Sequence, residues 1–458
     1  MEITGRHLIE KGYKPGKWFK EALQEINSKN LSDDELDEFL KKTAPHIIEP
    51  FNEALSFNVN IEAETEEEIS NVESVLKTMN ELMKTPTLVD GAIMPDACPT
   101  GRIGEIPVGG IVVSKNAIHP AMHSADICCS VMMTNLGTVE PKDVLNAAHS
   151  ITHFGGGGRN DRKFSLPKPF EEELKENSFT GNESAIMSAR QYLGTQGDGN
   201  HFLYVGQLES TGETILVTHH GSRGLGAKVY KQGVKLAERF RKEISPHTIK
   251  YNAWIPFDDP VGKEYWNALQ LVRKWTKLNH SVLHDDTAKI LNKDPHYRFW
   301  NEHNFVFRDG EHFYHAKGAT PLEDKFVPDS YEGLRLIPLN MSEPVLIIKG
   351  KKTDNNLGFA PHGAGRDVSR SQHIRKHSDR TIQEIFREET KGLDIRFYSG
   401  HIDISELPSA YKNAHRVQKQ MKKFNLGKVM DRIIPYGSIM AGNWQIDAPW
   451  RKRKRKNS

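Results

Sequence analysis

The chain has 458 residues, 37% of them hydrophobic and 27% charged, an ordinary globular composition that accommodates either one large domain or two to three smaller ones. Lysine and arginine total 62 against 60 acids, so the net charge of +2 neither marks nor excludes a polyanionic partner. Three cysteines (Cys98, Cys128 and the adjacent Cys129) exclude a disulfide framework. No apolar run approaches the roughly 18 residues of a membrane helix, and the N-terminal stretch lacks a cleavable apolar core. The expectation is a cytoplasmic protein with no membrane association, whose thiols are free to act as metal ligands.

Taken in chain order, the first 85 residues read as peripheral helices. Trp18, Phe19, Ala22, Leu23 and Ile26 form one apolar face, and Ile69, Val72, Leu76, Met79 and Met83 recur every three or four residues. From about residue 88 short β-rich runs appear: 111–113, 128–133, 201–205, 215–218 and 345–348, each flanked by Gly, Pro or His. Helical patterns over 224–244, 261–292, 379–391 and 408–424 interrupt them. The mixture predicts an α+β fold with one catalytic domain over 88–442, an N-terminal helical extension over 1–87, and a tail over 443–458. That tail contains RKRKRK at 451–456. Such runs are usually solvated, and they also hold phosphate backbones by counterion release.

Five polar clusters sit where strands begin or end. They are Asp126-Ile-Cys128-Cys129, Gly194 to His201 (GTQGDGNH), Thr218-His219-His220-Gly-Ser-Arg223, Glu302-His303-Asn304, and His362-Gly-Ala364-Gly365-Arg366. Singly, each has a plain structural explanation, because a histidine at a strand end is usually a satisfied polar group and a glycine-rich loop is usually a turn. Together they supply a carboxylate, a thiolate and several imidazoles, a set suited to a binuclear metal site. Thiolate with imidazole favours zinc, while a carboxylate with open positions leaves room for Mn²⁺ or another divalent ion. Adjacent strand residues face opposite ways, so only one of Cys128 and Cys129 reaches such a site. No P-loop, G-x-G-x-x-G or H-E-x-x-H occurs. A nucleotide would therefore fall to the 362–366 loop, where an accessible imidazole is a competent nucleophile toward phosphorus and Arg366 can meet phosphate oxygens.

With these pieces in view, the chain resembles the RtcB family of RNA ligases over roughly residues 88–440. Met94-Pro-Asp96-Ala, Ile106-Pro-Val-Gly-Gly110, Asp126-x-x-Cys129, Gly199-Asn200-His201-Phe202, His219-x-Gly-Ser-Arg223-Gly, His303-Asn304, Lys317-Gly-Ala-Thr-Pro321, His362-Gly-Ala-Gly-Arg366 and Ala410-Tyr411-Lys412 fall in family order. The resemblance implies the family's single-domain α+β fold. It implies two Mn²⁺ ions, one on Cys129, His201 and His219 and the other on Asp126, Cys129 and His303. His362 would attack the α-phosphorus of GTP to give a histidine–GMP adduct. Asn200, Asn304, Arg223 and Arg366 would position phosphates, with Lys317, Ala364 and Gly365 completing the nucleotide site and Tyr411 near the base. The implied partner is RNA with 3′-phosphate or 2′,3′-cyclic phosphate and 5′-hydroxyl ends, with an archease-like protein as candidate activator.

The departures from the family pattern fall mainly on the base. Tyr204 stands where the family carries a glutamate three residues past the histidine, and the stretch 435–442 lacks the terminal lysine that contacts the base. Pro338-Leu-Asn-Met341 replaces a Gly-Ser-Met-Gly run, and Cys128-Cys129-Ser130 replaces Gly-Cys-Gly. The reading is retained nucleotidyl chemistry with altered or relaxed base preference. Two other classes share parts of the pattern. A metal-dependent phosphodiesterase or phosphatase would keep the metal set but has no use for His362, and a non-catalytic RNA-binding paralogue would need neither.

Overall fold

Strand alternation along three neighbouring segments organises the molecule. In Cys129–Asn135, Thr214–His220 and Tyr297–Asp309 the odd-numbered residues Val131, Met133, Ile215, Val217 and Phe299 share one apolar cluster with Tyr204, Leu336, Ile347 and Ile433. The even-numbered Met132 and Trp300 belong to a different cluster, built on the long helix Pro260–Ile290. This is the period of two expected of strands buried on both faces. The computed structural model describes residues 2–447 apart from 14, 17, 30, 45–46, 101–103 and 162, and the cationic run 451–456 lies outside the described residues.

Among those residues the main sheet has twelve strands. Its order is Asn58–Val59, Leu88–Cys98, Val108–Lys115, His312–Lys317, Tyr297–Asp309, Cys129–Asn135, Thr214–His220, Phe202–Leu208, Lys428–Met440, Val345–Lys349 and Leu334–Pro338, with Asp394–Phe397 also paired to Lys428–Met440. Pairing is antiparallel except at Asn58–Val59 and Asp394–Phe397. The sheet curls until its last strand lies over Tyr297–Asp309. There the fully buried Asn301 accepts the Leu336 N–H at 2.7 Å and donates to the Leu336 carbonyl at 3.2 Å, so a side chain does the work of a ladder between strands that are not neighbours.

The fold is α+β, with helices Arg223–Ile244 and Pro260–Ile290 covering the outer face of the curl. Pro260 follows the N-cap Asp259, whose carboxylate accepts the Val261 N–H. Tyr265, Leu269, Val272, Trp275 and Leu283 give this helix its buried stripe. All five β-rich runs are strands, and the helices expected over 224–244 and 261–292 are found within two residues. The pattern over 408–424 is helical only from Ala414 to Lys423, because Pro408 opens a separate short turn and Asn413 caps the helix proper. Of the stripe expected over 69–83, Met79 and Met83 are buried and Val72 and Leu76 pack against the same cluster, joined by Val75 and Leu82, whereas Ile69 is 47% exposed.

The N-terminal region divides in two. Helices Gly5–Glu10, Trp18–Lys29 and Asp33–Thr43 close a small core of their own around Leu8, Phe19, Ala22, Ile26, Leu36 and Leu40. Helix Glu66–Leu82 instead packs on the sheet through Val75, Met79 and Leu82 against Leu88, Ile93 and Val112. No helix among the described residues is long and apolar enough to cross a membrane.

Asn301→Ala removes both bonds and leaves two backbone groups of Leu336 buried without partners. We expect a loss of about 2–3 kcal/mol in urea unfolding, and a change below about 0.5 kcal/mol would show that the curl closes by apolar packing alone.

Candidate active site

The alternation that builds the core also gathers the donors. Cys129, His219 and His303 continue the inward-facing odd series at one end of the three central strands, and His201 immediately precedes strand Phe202–Leu208 next to them. A bulge assists. Ser130 stands opposite Glu302 while Cys129 stands opposite Asn304, so His303 is the extra residue. Such bulges re-aim side chains. Cys129 Sγ lies 3.2 Å from His219 Nε2 and 3.6 Å from His201 Nε2, and His219 Nε2 lies 3.1 Å from His303 Nε2. Asp126 Oδ2 sits 2.9 Å from His201 Nε2. Cys128 turns away. It has positive φ, is buried in the cluster on the helix side, and has Glu302 and Thr276 as neighbours.

Two overlapping triads result, Cys129–His219–His303 and Asp126–Cys129–His201, each with its donor atoms within 4.8 Å of one another. By proximity His201 groups with Asp126 and His303 groups with His219, while Cys129 is common to both triads. The set fits a metal. A tetrahedral ion with bonds of about 2.3 Å to sulfur and about 2.0 Å to nitrogen would hold those atoms about 3.3–3.6 Å apart. His219 Nδ1 is 3.0 Å from the Asn200 carbonyl, which only accepts, so Nδ1 carries the proton and Nε2 keeps its lone pair toward the other donors. Burial lowers the His219 pKa to about 3 and holds that of His303 well below its ordinary value, which favours neutral rings. Burial, with Asp126 beside it, raises the Cys129 thiol well above its ordinary value, and a cation is what would make it a thiolate.

The even-numbered residues of the same strands carry a second polar array on the outer face. Thr218 Oγ1 lies 2.6 Å from His280 Nδ1 and 2.7 Å from His284 Nε2, and Ser130 Oγ lies 3.0 Å from His280 Nε2. His220 stacks on His280 at 3.5 Å. His280 and His284 are one helical turn apart on Pro260–Ile290, so they brace the backs of the ligand strands.

On the other side of His303, at a ring separation of 4.9 Å, is His362. Its Nδ1 is 2.5 Å from Asp96 Oδ2, and the same oxygen accepts its backbone N–H at 3.0 Å. A carboxylate partner fixes the tautomer with the proton on Nδ1 and leaves the lone pair on Nε2. Asp96 is fully buried and is itself held in place. Lys412 Nζ donates to the carbonyls of Pro95 (3.2 Å) and Ala97 (2.6 Å), one on each side of it. Gly365, with φ +75°, runs so close to the Asp96 carbonyl that any Cβ there would overlap it. Asp96 and Lys412 lie in motifs singled out in the sequence, but neither was assigned a role there.

His362 lines a cleft with Asn200, Phe202, Tyr204, His219, the 338–341 segment, Val345, the 363–366 loop, Glu406, Tyr411, Ser438 and Met440. Ala364, Gly365, Arg366, Asn200 and Tyr411 are thus brought together as expected. Arg366 is also engaged internally: it donates to Glu406 Oε2 (2.7 Å) and to the Ser405 carbonyl (2.6 Å), and its guanidinium lies 4.7 Å from the Tyr411 ring centre. Tyr411 donates to the same Glu406 oxygen at 2.5 Å. Glu406 had no signal in the sequence beyond its nearness to the 410–412 motif. Three expected residues stand outside this cleft. Arg223 borders the open groove that reaches Asp126 and His201, Asn304 accepts the Gly318 N–H at 2.7 Å, and Lys317 pairs with Glu105 at 3.1 Å.

Comparison with known proteins identifies the family. The family model described as tRNA-splicing ligase RtcB matches residues 161–441. The tRNA-splicing ligase RtcB of Aeropyrum pernix is 28% identical over 424 residues, covering 75% of this chain and 86% of that protein. That of Archaeoglobus fulgidus is 25% identical, covering 76% and 87%. For Pyrococcus horikoshii the match is 28% over 286 residues, 54% of this chain and 32% of the relative, so there the aligned stretch spans about a third of the relative's length. With its curled sheet, paired donor triads and histidine loop in place, this chain belongs to the RtcB family.

Proposed function

We propose that this chain is an RNA ligase, acting in tRNA splicing or RNA repair, that joins 3′-phosphate or 2′,3′-cyclic phosphate ends to 5′-hydroxyl ends through a nucleotide carried on His362. The observation that carries this reading is the Asp96–His362 pair. A buried carboxylate holding Nδ1, with Nε2 left free in a cleft beside the donor triads, is what a nucleophilic histidine requires and what a simple hydrolase does not. The name shared by its relatives, tRNA-splicing ligase RtcB, supports the ligase part of this reading.

In this reading His362 Nε2 attacks the α-phosphorus of GTP. The P–N bond forms as the bond to the β-phosphate oxygen breaks, and pyrophosphate leaves. Asp96 accepts the hydrogen bond from the Nδ1 proton throughout and stabilises the positive charge that develops on the ring. A terminal 3′-phosphate oxygen, exposed by water opening any cyclic phosphate, then attacks the same phosphorus and frees His362. Attack of the 5′-hydroxyl on the 3′-phosphorus expels GMP and closes the phosphodiester. Asn200 and the amides of the 363–366 loop are placed to hold phosphate oxygens in line. Asp126, Cys129, His201, His219 and His303 would hold two Mn²⁺, or Zn²⁺ or another divalent ion in their place, which when bound offset charge on the reacting phosphates.

The base slot favours a relaxed preference over strict guanine selection. Phe202, Leu339, Met341, Val345 and Met440 make its walls mostly apolar, with Asn340 and Ser438 as further polar side chains, and the Tyr204 hydroxyl is already committed to the Ile433 carbonyl at 2.8 Å. The slot's carboxylate, Glu406, is taken by Arg366, Arg370 and Tyr411. Apolar walls discriminate related ligands by only about 10–200-fold, far less than a built hydrogen-bonding site.

Labelling tests both points. With Mn²⁺ and each α-labelled nucleoside triphosphate, wild type should acquire acid-labile label from more than one base, His362→Ala none, and Asp96→Ala should label about 100-fold more slowly or worse. Absence of label from folded, metal-loaded protein sinks the ligase reading, and label from GTP alone sinks the relaxed slot. Metal analysis separates the two cysteines. Cys129→Ser should lose bound divalent ion, with affinity down about 100-fold or more, and Cys128→Ser should retain it. The reverse pattern would reassign the ligand.

A further inference from the structure

Positive charge is concentrated on one helix. Arg223–Ile244 holds seven cations and two acids in 22 residues, whereas the whole chain has a net charge of +2. The helix is amphipathic. Leu225, Gly226, Val229, Gly233 and Ala237 are buried, and the opposite ridge runs from Gly224 through Lys228, Lys231, Lys235, Arg239 and Lys242. Those steps of four, three, four, four and three residues keep all five cations on one side. Lys231, Lys235, Arg239 and Lys242 are exposed. Among the described residues the first three have no ion pair, and Lys242 reaches Glu238 only at 4.0 Å. That acid is already held by Arg241 at 2.7 and 3.0 Å. A solvated face ordinarily mixes both signs. This one presents a single sign over about 21 Å, the axial rise from Lys228 to Lys242, and so creates a field suited to a polyanion.

The ridge also starts at the metal groove. Arg223, Gly224 and Ala227, in its first two turns, line the open groove with Asp126 and His201. Arg223 Nε is buried there without a hydrogen-bond partner. A strand leaving the groove along this helix therefore passes directly onto the cations. The apolar face of the helix is packed inside the protein with Tyr265, Leu269 and Val272 of Pro260–Ile290, so none of it remains to enter a bilayer.

We propose that this ridge is an RNA track, on which Lys228, Lys231, Lys235, Arg239 and Lys242 hold backbone phosphates of the strand whose reacting end lies in the groove. The proposal rests on the ligase reading for the identity of the polyanion. The contacts are to phosphates alone, so the track sets the direction in which the RNA leaves the site and carries no sequence preference.

The test is fluorescence anisotropy with a single-stranded oligoribonucleotide of about 20 nucleotides bearing a 3′-phosphate, titrated against full-length protein at several salt concentrations. One variant combines Lys231→Gln, Lys235→Gln, Arg239→Gln and Lys242→Gln, which keeps good helix formers at exposed positions. A control combines Lys41→Gln, Lys42→Gln, Lys289→Gln and Lys391→Gln, which removes the same charge from exposed positions elsewhere. The expected result is a Kd at least ten-fold weaker for the ridge variant at low salt, with its log K against log salt slope less steep by about 3. The control should stay within about three-fold of wild type. Equal Kd and slope for wild type and the ridge variant would overturn the track, and so would equal losses in the two variants. Ridge-dependent binding to phosphatidylserine vesicles with none to the oligonucleotide would overturn it as well. His362 labelling keeps the two ideas apart, because no cation of the ridge lines the nucleotide cleft and the ridge variant should label as wild type does. Label without ridge-dependent RNA binding overturns the track and leaves the ligase reading standing, and ridge-dependent RNA binding without label does the reverse.

Discussion

The register of strand Cys129–Asn135 between its two neighbours is the constraint on which the site depends. Cys129 reaches His219 and His201 because Val131 stands opposite His219 and a bulge lets His303 bow inward beside it. A slip of one residue would present Cys128 to the histidines and move Met132 into the inner cluster in place of Val131 and Met133, so the apolar pattern locks the metal donors. The outer face reinforces the same choice. Ser130 and Thr134 meet His280 and His284 only in this register, and each misplaced partner would leave a buried hydrogen-bonding group unsatisfied. Catalytic geometry and core packing are thus two readings of one alternation.

The cleft around His362 follows a different rule, in which every buried charge is paired before any ligand enters. Asp96 is matched by the His362 imidazole, Glu406 by Arg366 and Arg370, and Lys412 by two carbonyls. Burial depresses the Lys412 pKa, and it raises the Tyr411 hydroxyl with the help of Glu406, but neither group lacks a partner. Removing one member of such a pair costs more than the pair contributes, because its partner is left charged in a poorly solvated place. The side chains therefore hold their positions in the free protein, which is what in-line transfer requires of groups that must not reorganise during the reaction.

Much of this was legible in the sequence because the chemistry sits at strand ends, where histidines and glycines interrupt β-branched runs. Asp126, Cys129, His201, His219 and His303, which the fold brings together, and His362 beside them were each singled out in that way, as was the expectation that only one of the adjacent cysteines could turn toward the cluster. What was not legible depends on contacts distant in the chain. The grouping of these side chains into two overlapping triads follows from which segments meet at the sheet edge, and spacing carries no trace of that. Asp96 lies 266 residues from His362, and Lys412 more than 300 from the carbonyls it clamps. Glu406 was missed for a local reason, since an acid in a short turn reads as surface until two arginines are seen to converge on it.

Tyr204 belongs to two parts of the molecule at once. It forms part of the wall that a nucleobase would meet, and it is also 2% exposed in the cluster that fills the curl, with its hydroxyl serving as donor to the strand at residue 433. A lineage or a protein engineer wishing to alter which base this enzyme accepts cannot edit that residue as a surface determinant. Shortening it opens a void beneath the sheet, and placing an acid there buries an uncompensated charge in the core. Changes of preference at this wall must therefore arrive with compensating changes among Leu208, Leu336, Val345 and Ile433. The tyrosine thus ties the shape of this wall to the packing of the core, whereas the 338–341 segment of the same cleft is the more open to change.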